Sequence, residues 1–279
     1  MPINPANLFV GFLLSLIIAA VAYRAHSLAK SGAVGAVVEG TLIFGLGGLA
    51  WGLLLIAFFV SSSALSHFKG SRKAGLAEKF AKTGQRDLSQ VLANGGMGAA
   101  LAVLSVFAAD TWPVFVAFAG AMAAVNADTW ATELGVLSPR PPRLITTGKV
   151  AAVGTSGAIS LWGVSAAAAG ALFIGAFAAL LSPLVTSVSG AQMLALVVTA
   201  LIAGLAGSLV DSLLGATAQG IYWCERDQKE TEKRIHTCGE HTRLLRGWAW
   251  MDNEWVNFIC SVVGVGGAAI AGAAIASVL

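Results

Sequence analysis

Residues 191–219 read AQMLALVVTALIAGLAGSLVDSLLGATAQ, and this stretch decides the fold. Its only charged residue is Asp211, and it is longer than the roughly 20 apolar residues that one membrane-spanning helix needs. The rest of the chain has the same character, because 57% of its 279 residues are hydrophobic and 11% are charged. Soluble domains carry roughly 25% charged residues. The composition therefore predicts an integral membrane protein and excludes collagen-like, disordered, disulfide-stapled and nucleic-acid-binding classes.

Apolar windows of bilayer length recur on the N-terminal and C-terminal sides of this stretch. We predict an all-α polytopic membrane protein, a Gly/Ala-rich bundle of seven to eight transmembrane helices that forms a single domain over residues 1–279. Its large loops are predicted at residues 68–90, 137–156 and 220–254. The candidate spans lie near residues 7–23, 33–48, 50–67, 91–108, 113–134, 157–182, 191–219 and 255–279.

Two segments of the chain resemble each other. SGAVGAVVEGTLIFG begins at Ser31 and SGAISLWGVSAAAAG begins at Ser156. They predict a parallel internal repeat that relates helices two to four to helices six to eight. Chance similarity between Gly/Ala-rich helices is the alternative.

The basic residues fall in loops that alternate along the chain. Segments 24–30, 68–90, 137–150 and 220–250 contain all 17 Lys and Arg residues, whereas the intervening connections contain none and only Asp110 as an acid. The positive-inside rule then predicts that every basic loop is cytoplasmic. The first span, near residues 7–23, lacks preceding positive charge and is expected to be a retained helix, not a signal peptide. We predict a protein of the cell inner membrane with its N-terminus outside.

Acidic residues inside predicted spans are the first candidates for a functional site, because a charge in the membrane is costly. They are Glu39, Asp128, Glu133 and Asp211, with Asp252 at the mouth of the last span. At 1.5 Å per residue, Glu39, Asp128 and Asp211 lie roughly 9–12 Å from the inner interface and can meet in one layer. Asn, Ser and Thr residues next to these acids complete a set of oxygen ligands that suits Mg²⁺. Polar contacts between helices are the alternative interpretation.

Two basic loops are candidates for binding phosphate. The first contains Lys69, Arg72, Lys73 and Arg86, and continues through Asp87 and Asn94 into a span; contact with anionic lipid is its alternative role. The second combines Arg140, Arg143 and Lys149 with Thr147, Thr155 and Ser156 ahead of a helix N-terminus, an arrangement that favours a phosphate cradle. A capped structural loop is the alternative there.

The third loop contains Cys224, His236, Cys238 and His241. Their spacing fits no closed zinc site well, so the sequence leaves open whether they bind metal. Six basic and five acidic residues make residues 220–250 nearly neutral, which favours a folded or amphipathic element.

Five ordered strings carry a family resemblance: FKGSRKAGLAEKFAKTGQRDLSQVLANGG, NADTWATELGVLSPRPPRLITTGK, GTSGAISLWG, GSLVDSLLGATAQ and WMDNEWVNF. They resemble the integral-membrane family once known only as domain of unknown function ninety-two, which includes animal transmembrane protein nineteen and the plant phytyl-phosphate kinase. The resemblance covers roughly residues 5–279. It implies a kinase that phosphorylates a prenyl monophosphate, such as phytyl or geranylgeranyl phosphate, with a nucleoside triphosphate, expected to be CTP.

The implied reaction assigns hypothetical roles to the candidates. The expected cofactor is Mg²⁺, and the expected partners are the prenyl-phosphate lipid, the nucleotide and membrane lipids, with no nucleic acid; the oligomeric state stays open. Catalytic roles fall to Asp128, Asp211, Arg86 and Lys73, and metal binding to Asp128, Glu133, Asp211 and Asp252. Substrate and phosphate binding falls to Lys69, Arg72, Asp87, Asn94, Thr147, Lys149, Thr155, Ser156, Asn253 and Asn257.

Other functions fit parts of the same pattern. A lipid alcohol kinase or a CTP-dependent cytidylyltransferase would use a similar metal site at the inner leaflet. A transporter of an anion or lipid phosphate would also gather buried acids and basic loops. Its polar residues should continue to the outer side, however, and the outer halves of these spans are almost wholly apolar. This asymmetry favours an enzyme.

Overall fold

A computed structural model of the chain describes residues 4–68 and 84–276. In these ranges it is a bundle of α-helices with two small antiparallel sheets in the loops at one end. The helices are α1 Pro5–Arg24, α2 Lys30–Leu42, α3 Leu49–His67, α4 Leu88–Ser105, α5 Trp112–Gly135, α6 Leu161–Leu181, α7 Gly190–Thr217 and α8 Asn253–Ala276. The strands are β1 Arg143–Leu144, β2 Ala158–Ile159, β3 Ile221–Cys224, β4 Lys229–Thr231 and β5 Arg243–Arg246.

Seven of the described helices are long and apolar enough to cross a membrane, and α2 is the exception. Helix α2 continues as a π-helical segment, Ile43–Gly47, and Gly48 then turns the chain into α3 with a φ of 87°. A left-handed φ is readily adopted only by glycine, so Gly48 sets the sharp turn. The predicted helical membrane bundle is confirmed, whereas the parallel repeat stays a prediction.

Helix α5 is the centre of the bundle and packs against α3, α4, α6, α7 and α8. Small residues allow these close contacts: a Cβ added to Gly264 of α8 would lie 2.6 Å from the Gly120 carbonyl oxygen. Near one end of α5, the Phe118 ring stacks on Trp51 of α3 at 4.5 Å between centroids. Every residue from 117 to 127 is buried, and most of them are small, so this middle part of α5 is enclosed by its neighbours.

A polar contact fixes α5 against two neighbours. Asn126 is fully buried; its Nδ2 donates to the Gly170 carbonyl of α6 at 2.8 Å, and its Oδ1 accepts from Ser61 of α3 at 3.0 Å. Both functions of the amide are therefore satisfied, as a buried polar group requires. Asn126 thus joins three helices two residues before Asp128, which lines the cavity described below.

The loops at one end of the bundle are folded. Strands β1 and β2 pair between α5 and α6, and β3, flanked by β4 and β5, forms a three-stranded sheet between α7 and α8. The span predicted from residue 157 begins instead at Leu161, because Gly157 has a φ of 81° and Ser160 is the N-cap, with its Oγ accepting from Gly163. Alternating chain direction brings the ends of α3, α5 and α7 and the starts of α4, α6 and α8 to this same face.

Candidate active site

A cavity of about 560 Å³ opens at the face where these helix ends meet. Residues from α3 to α8, the segment 153–160 and the three-stranded sheet region line it. Its walls contain carboxylates, hydroxyls and amides at the end of an otherwise apolar bundle. Such a concave, polar site supplied by several helices is the natural candidate for binding a ligand.

Two carboxyl groups meet at the base of this cavity. Asp128 on α5 and Asp211 on α7 lie against each other, and the Ser208 side chain, one turn before Asp211, also contacts Asp128. The Asp211 Oδ2 atom is buried and has no hydrogen-bond partner in the described part of the chain. Two adjacent carboxylates repel unless a proton or a cation lies between them, so this pair is a fitting place for a cation.

The α3 side of the cavity carries a third acid and a cation. Ser66 at the end of α3 donates to Glu133 Oε1 at 2.6 Å. Arg86 precedes α4, and its guanidinium carbon lies 5.5 Å from the Phe59 ring centroid and 6.0 Å from that of Phe58. Burial lowers the pKa of Arg86, and the Glu133 carboxylate opposes this shift. Arginine nevertheless remains protonated in proteins, so a cation is held in the wall of the cavity.

The opposite wall is a chain of hydrogen bonds between loops. Ser156 Oγ donates to Gln219 Oε1 at 2.5 Å, and Gln219 Nε2 donates to Glu232 Oε1 at 3.0 Å. Arg246 of β5 donates to the carbonyls of Gly215 at 2.6 Å and Ser156 at 3.2 Å. These contacts fasten segment 153–160 to the end of α7, next to Asp211.

The predicted site residues divide into three groups. Those that line the cavity are Arg86, Asn94, Asp128, Glu133, Thr155, Ser156, Asp211, Asn253 and Asn257. Those outside its lining are Asp87, Thr147, Lys149 and Asp252. Those outside the described residues are Lys69, Arg72 and Lys73.

Local structure accounts for the residues outside the lining. Asp87 forms a capping box with Gln90 at the start of α4. Asp252 Oδ1 accepts from the Trp255 amide at 3.1 Å near the start of α8. Thr147 and Lys149 are exposed and flank Gly148, whose φ is 68°. The carboxylates thus satisfy helix-terminal N–H groups, and the other two residues belong to a surface turn.

Further polar residues also line the cavity. Thr132 and Ser212 are among the Thr and Ser residues that the sequence places next to the acids, and Gln90 lies in the basic segment that continues into α4. Glu232 was not predicted, because it reaches the cavity only through the β3–β4 hairpin. Glu39 is not part of this site: it lines a second, largely apolar cavity of about 80 Å³ that shares Arg86, Gln90 and Asn94 with the first.

Residues 13–265 match the family described as Integral membrane protein DUF92. The chain belongs to this family. Protein PGR of Arabidopsis thaliana is 33% identical over 271 residues, which cover 91% of this chain and 92% of the relative. Membrane protein MJ0933 of Methanocaldococcus jannaschii is 35% identical over 213 residues, 75% of this chain and 82% of the relative.

A further member matches more distantly. Protein VTE6, chloroplastic, of Arabidopsis thaliana is 29% identical over 209 residues, which cover 72% of this chain and 60% of the relative. No solved structure is significantly similar to the chain. The comparisons confirm the family resemblance drawn from the sequence strings, and they identify the chain as an integral membrane protein.

Proposed function

We propose that the chain is a membrane-embedded kinase that transfers a phosphoryl group from a nucleoside triphosphate, expected to be CTP, to a prenyl monophosphate. The family resemblance supports this substrate class. The observation that carries the proposal is the Asp128–Asp211 pair at the base of a polar cavity, where Asp211 Oδ2 has no hydrogen-bond partner among the described residues. The charged loops, and with them the cavity, would face the cytoplasm in the inner membrane.

The acid pair fits Mg²⁺. Asp128 and Asp211 would hold the ion, and the Ser208 hydroxyl that contacts Asp128 offers a further oxygen. Mg²⁺ usually takes one or two protein carboxylates and completes its shell with water and substrate phosphates. When bound, it would neutralise negative charge on the phosphates of the nucleotide.

The remaining residues would bind and orient the two phosphate groups. An oxygen of the prenyl phosphate attacks the γ-phosphorus, the bond from that phosphorus to the β-bridging oxygen breaks, and the products are prenyl diphosphate and nucleoside diphosphate. A phosphate monoester has its second pKa near 6, so the attacking oxygen is already ionised and needs no strong base. Arg86 would bind a phosphate by charge-assisted hydrogen bonds, and Asn94 and Asn257 would orient it.

The second cavity supports a lipid substrate. Ile18, Phe44, Leu55 and Phe58 are among its apolar lining, and it meets the main cavity at Arg86. A lipid phosphate bound at Arg86 would therefore have apolar surface for its first carbons. At about 80 Å³ the cavity has the volume of only a few water molecules, so the rest of the chain would extend between helices into the bilayer.

The direct test uses purified full-length protein in detergent with Mg²⁺, phytyl or geranylgeranyl phosphate, and γ-labelled CTP or ATP. We expect the label in prenyl diphosphate, with release of nucleoside diphosphate. Absence of diphosphate with every chain tested, from a folded sample, would refute the kinase. When the prenyl alcohol is supplied instead, label transfer to it would identify a lipid alcohol kinase. Release of pyrophosphate would identify a cytidylyltransferase. Uptake of lipid phosphate without turnover, after reconstitution into sealed vesicles, would identify a transporter.

Matched variants test the acid pair. Asp128→Asn and Asp211→Asn should each lower turnover by at least about a hundredfold, because each removes a charged ligand, while the thermal unfolding midpoint stays within a few degrees. Asp110→Asn is the control, since Asp110 is exposed at the opposite end of the bundle and caps α5 through the Trp112 amide. Full activity in both cavity variants would remove the pair from the mechanism.

A further inference from the structure

The three-stranded sheet region contains a cluster of metal-ligating side chains outside the active-site cavity. Cys224 ends β3, Asp227 lies in the following turn, and His236 and Cys238 lie in the loop after β4. One ligand atom from each of these four residues lies within 4.8 Å of all the others. We propose that this cluster is a structural zinc site.

The distances between the ligand atoms fit a tetrahedral ion. The two sulfurs are 3.6 Å apart, His236 Nδ1 is 3.4 Å from Cys238 Sγ, and the same nitrogen is 3.0 Å from Asp227 Oδ2. Zinc bonds of about 2.3 Å to sulfur and about 2.0–2.1 Å to nitrogen and oxygen give tetrahedral edges of about 3.8, 3.6 and 3.4 Å. Each observed separation is within about 0.4 Å of these values, so an ion fits with only a small outward shift of its ligands.

The donor set points to zinc among common metals. Two thiolates and an imidazole are soft or borderline ligands, which select zinc over Mg²⁺ or Ca²⁺. Four protein ligands leave no open position, and this is typical of structural sites. Cys224 and His236 are buried, whereas Asp227 is exposed, so an ion could enter from the solvent side.

The backbone around the cluster is shaped to present these ligands. The Asp227 amide donates to Cys224 Sγ at 3.5 Å, and the Gln228 amide donates to the Cys224 carbonyl at 2.9 Å. In the second turn, the Gly239 amide donates to the His236 carbonyl at 2.9 Å, and Gly239 has a φ of 89°. Two tight turns therefore face each other, and an ion between them would join the β3–β4 hairpin to the loop that follows.

His241, which the sequence grouped with these residues, is not in the cluster, and Asp227 takes the fourth place. The spacing is therefore Cys-x-x-Asp followed by His-x-Cys. A site of this kind would stabilise a small sheet that has little core of its own. It would also hold Glu232 against Gln219 on the wall of the active-site cavity.

Metal content of the purified full chain tests the proposal. We expect about one zinc per chain after dialysis against metal-free buffer, and at least a tenfold loss in Cys224→Ser and in His236→Ala. The matched controls are Cys260→Ser, in α8, and His241→Ala, which should both retain the ion. Zinc-free wild-type protein after preparation with added zinc would overturn the proposal, and so would an intact mass showing a Cys224–Cys238 disulfide.

A spectroscopic measurement keeps the test decisive if a variant does not fold. Co²⁺ exchanged into the wild-type chain should give the visible bands of a tetrahedral ion and thiolate charge-transfer absorption. Chelation should also increase tryptic cleavage at Arg226, Lys229 and Lys233. Octahedral Co²⁺ spectra without thiolate bands, or cleavage unchanged by chelation, would contradict the site.

Discussion

Arg86 lies between the two cavities and is in position to contact both a phosphate and the beginning of a lipid chain. Its side chain lies over Phe58 and Phe59, and its backbone pairs with Ser27 and Ala29 in the α1–α2 turn. The cation is therefore held in place before any ligand binds. A group oriented in advance loses less entropy when it binds phosphate.

Replacing Arg86 tests this role. Arg86→Gln should lower kcat/KM for the prenyl phosphate by at least about tenfold, because a charge-assisted hydrogen bond is worth about 1.5–3 kcal/mol. Arg86→Lys keeps the charge but loses the planar fork, so part of the activity should return. Steady-state kinetics against both substrates provide the measurement. Arg140→Gln, on an exposed loop outside the cavity, is the control, and an equal loss there would contradict a local effect.

Gly157 shows how one residue fixes the loop beside Asp211. Its φ is 81°, and a Cβ added to it would meet the backbone nitrogen of Ala216 in α7. Gly157→Ala should therefore cost more than the about 1–3 kcal/mol of left-handed strain alone. Thermal unfolding in detergent should show a clearly lower midpoint than for Gly148→Ala, where φ is 68° but the added Cβ meets no atom within 4 Å in the part of the chain that the structure describes. Equal shifts in the two variants would show that contact with α7 is unimportant.

At the scale of elements, small residues determine how closely the helices approach. Gly264 of α8 faces Gly120 and Ala124 of α5, whereas a Cβ on Gly266, two residues later, would meet no atom of the described residues within 4 Å. Gly264→Val should separate α5 from α8 and lower the unfolding midpoint by several degrees, a cost typical of overpacking, about 1–3 kcal/mol. Gly266→Val should leave it nearly unchanged. A similar midpoint for both variants would contradict this helix contact.

Most of the architecture could be predicted because bilayer thickness limits helix length. The window near residues 113–134 agrees with α5, Trp112–Gly135, and the window 191–219 with α7, Gly190–Thr217. The start of the sixth helix, predicted near residue 157, is too early. Hydropathy carries no information on the sign of φ, and Gly157 takes a positive φ before the helix begins at Leu161. Likewise, hydropathy could not show that the helix after Lys30 changes to π-helical form before Gly48.

The site was partly predictable for a related reason. A carboxylate in a span is costly, so the sequence alone predicts that Asp128 and Asp211 belong to a functional site. The structure brings the two residues together. Asp252, at the mouth of a predicted span, gave the same signal although it accepts from the Trp255 amide near the start of α8. Asp87 was predicted with the basic loop, but it forms the capping box of α4. Residues supplied by a loop fold, such as Glu232, depend on strand pairing between distant segments, which local sequence patterns do not reveal.

At the scale of the whole molecule, the described polar cavity lies at one end of the bundle, and residues 106–111 connect α4 to α5 at the other. A membrane-impermeant maleimide tests which end is cytoplasmic. Asp110→Cys should be labelled from outside intact cells, because Asp110 is exposed at the end predicted to face outward. The parent chain should remain unlabelled, since Cys260 is buried and Cys224 and Cys238 lie at the cavity end. Equal labelling of the parent and the Asp110→Cys variant would reverse the topology.

The central position of α5 also has a consequence for biosynthesis. Three of the five helices that surround it, α6, α7 and α8, follow it in the chain and leave the ribosome later. Until they arrive, the small-residue faces of α5 contact lipid, and Asp128 has no Asp211 beside it. Helices that insert separately associate afterwards within the membrane. The acid pair therefore forms late in the synthesis of each chain. A chain whose translation stops before α7 contains Asp128 but not Asp211.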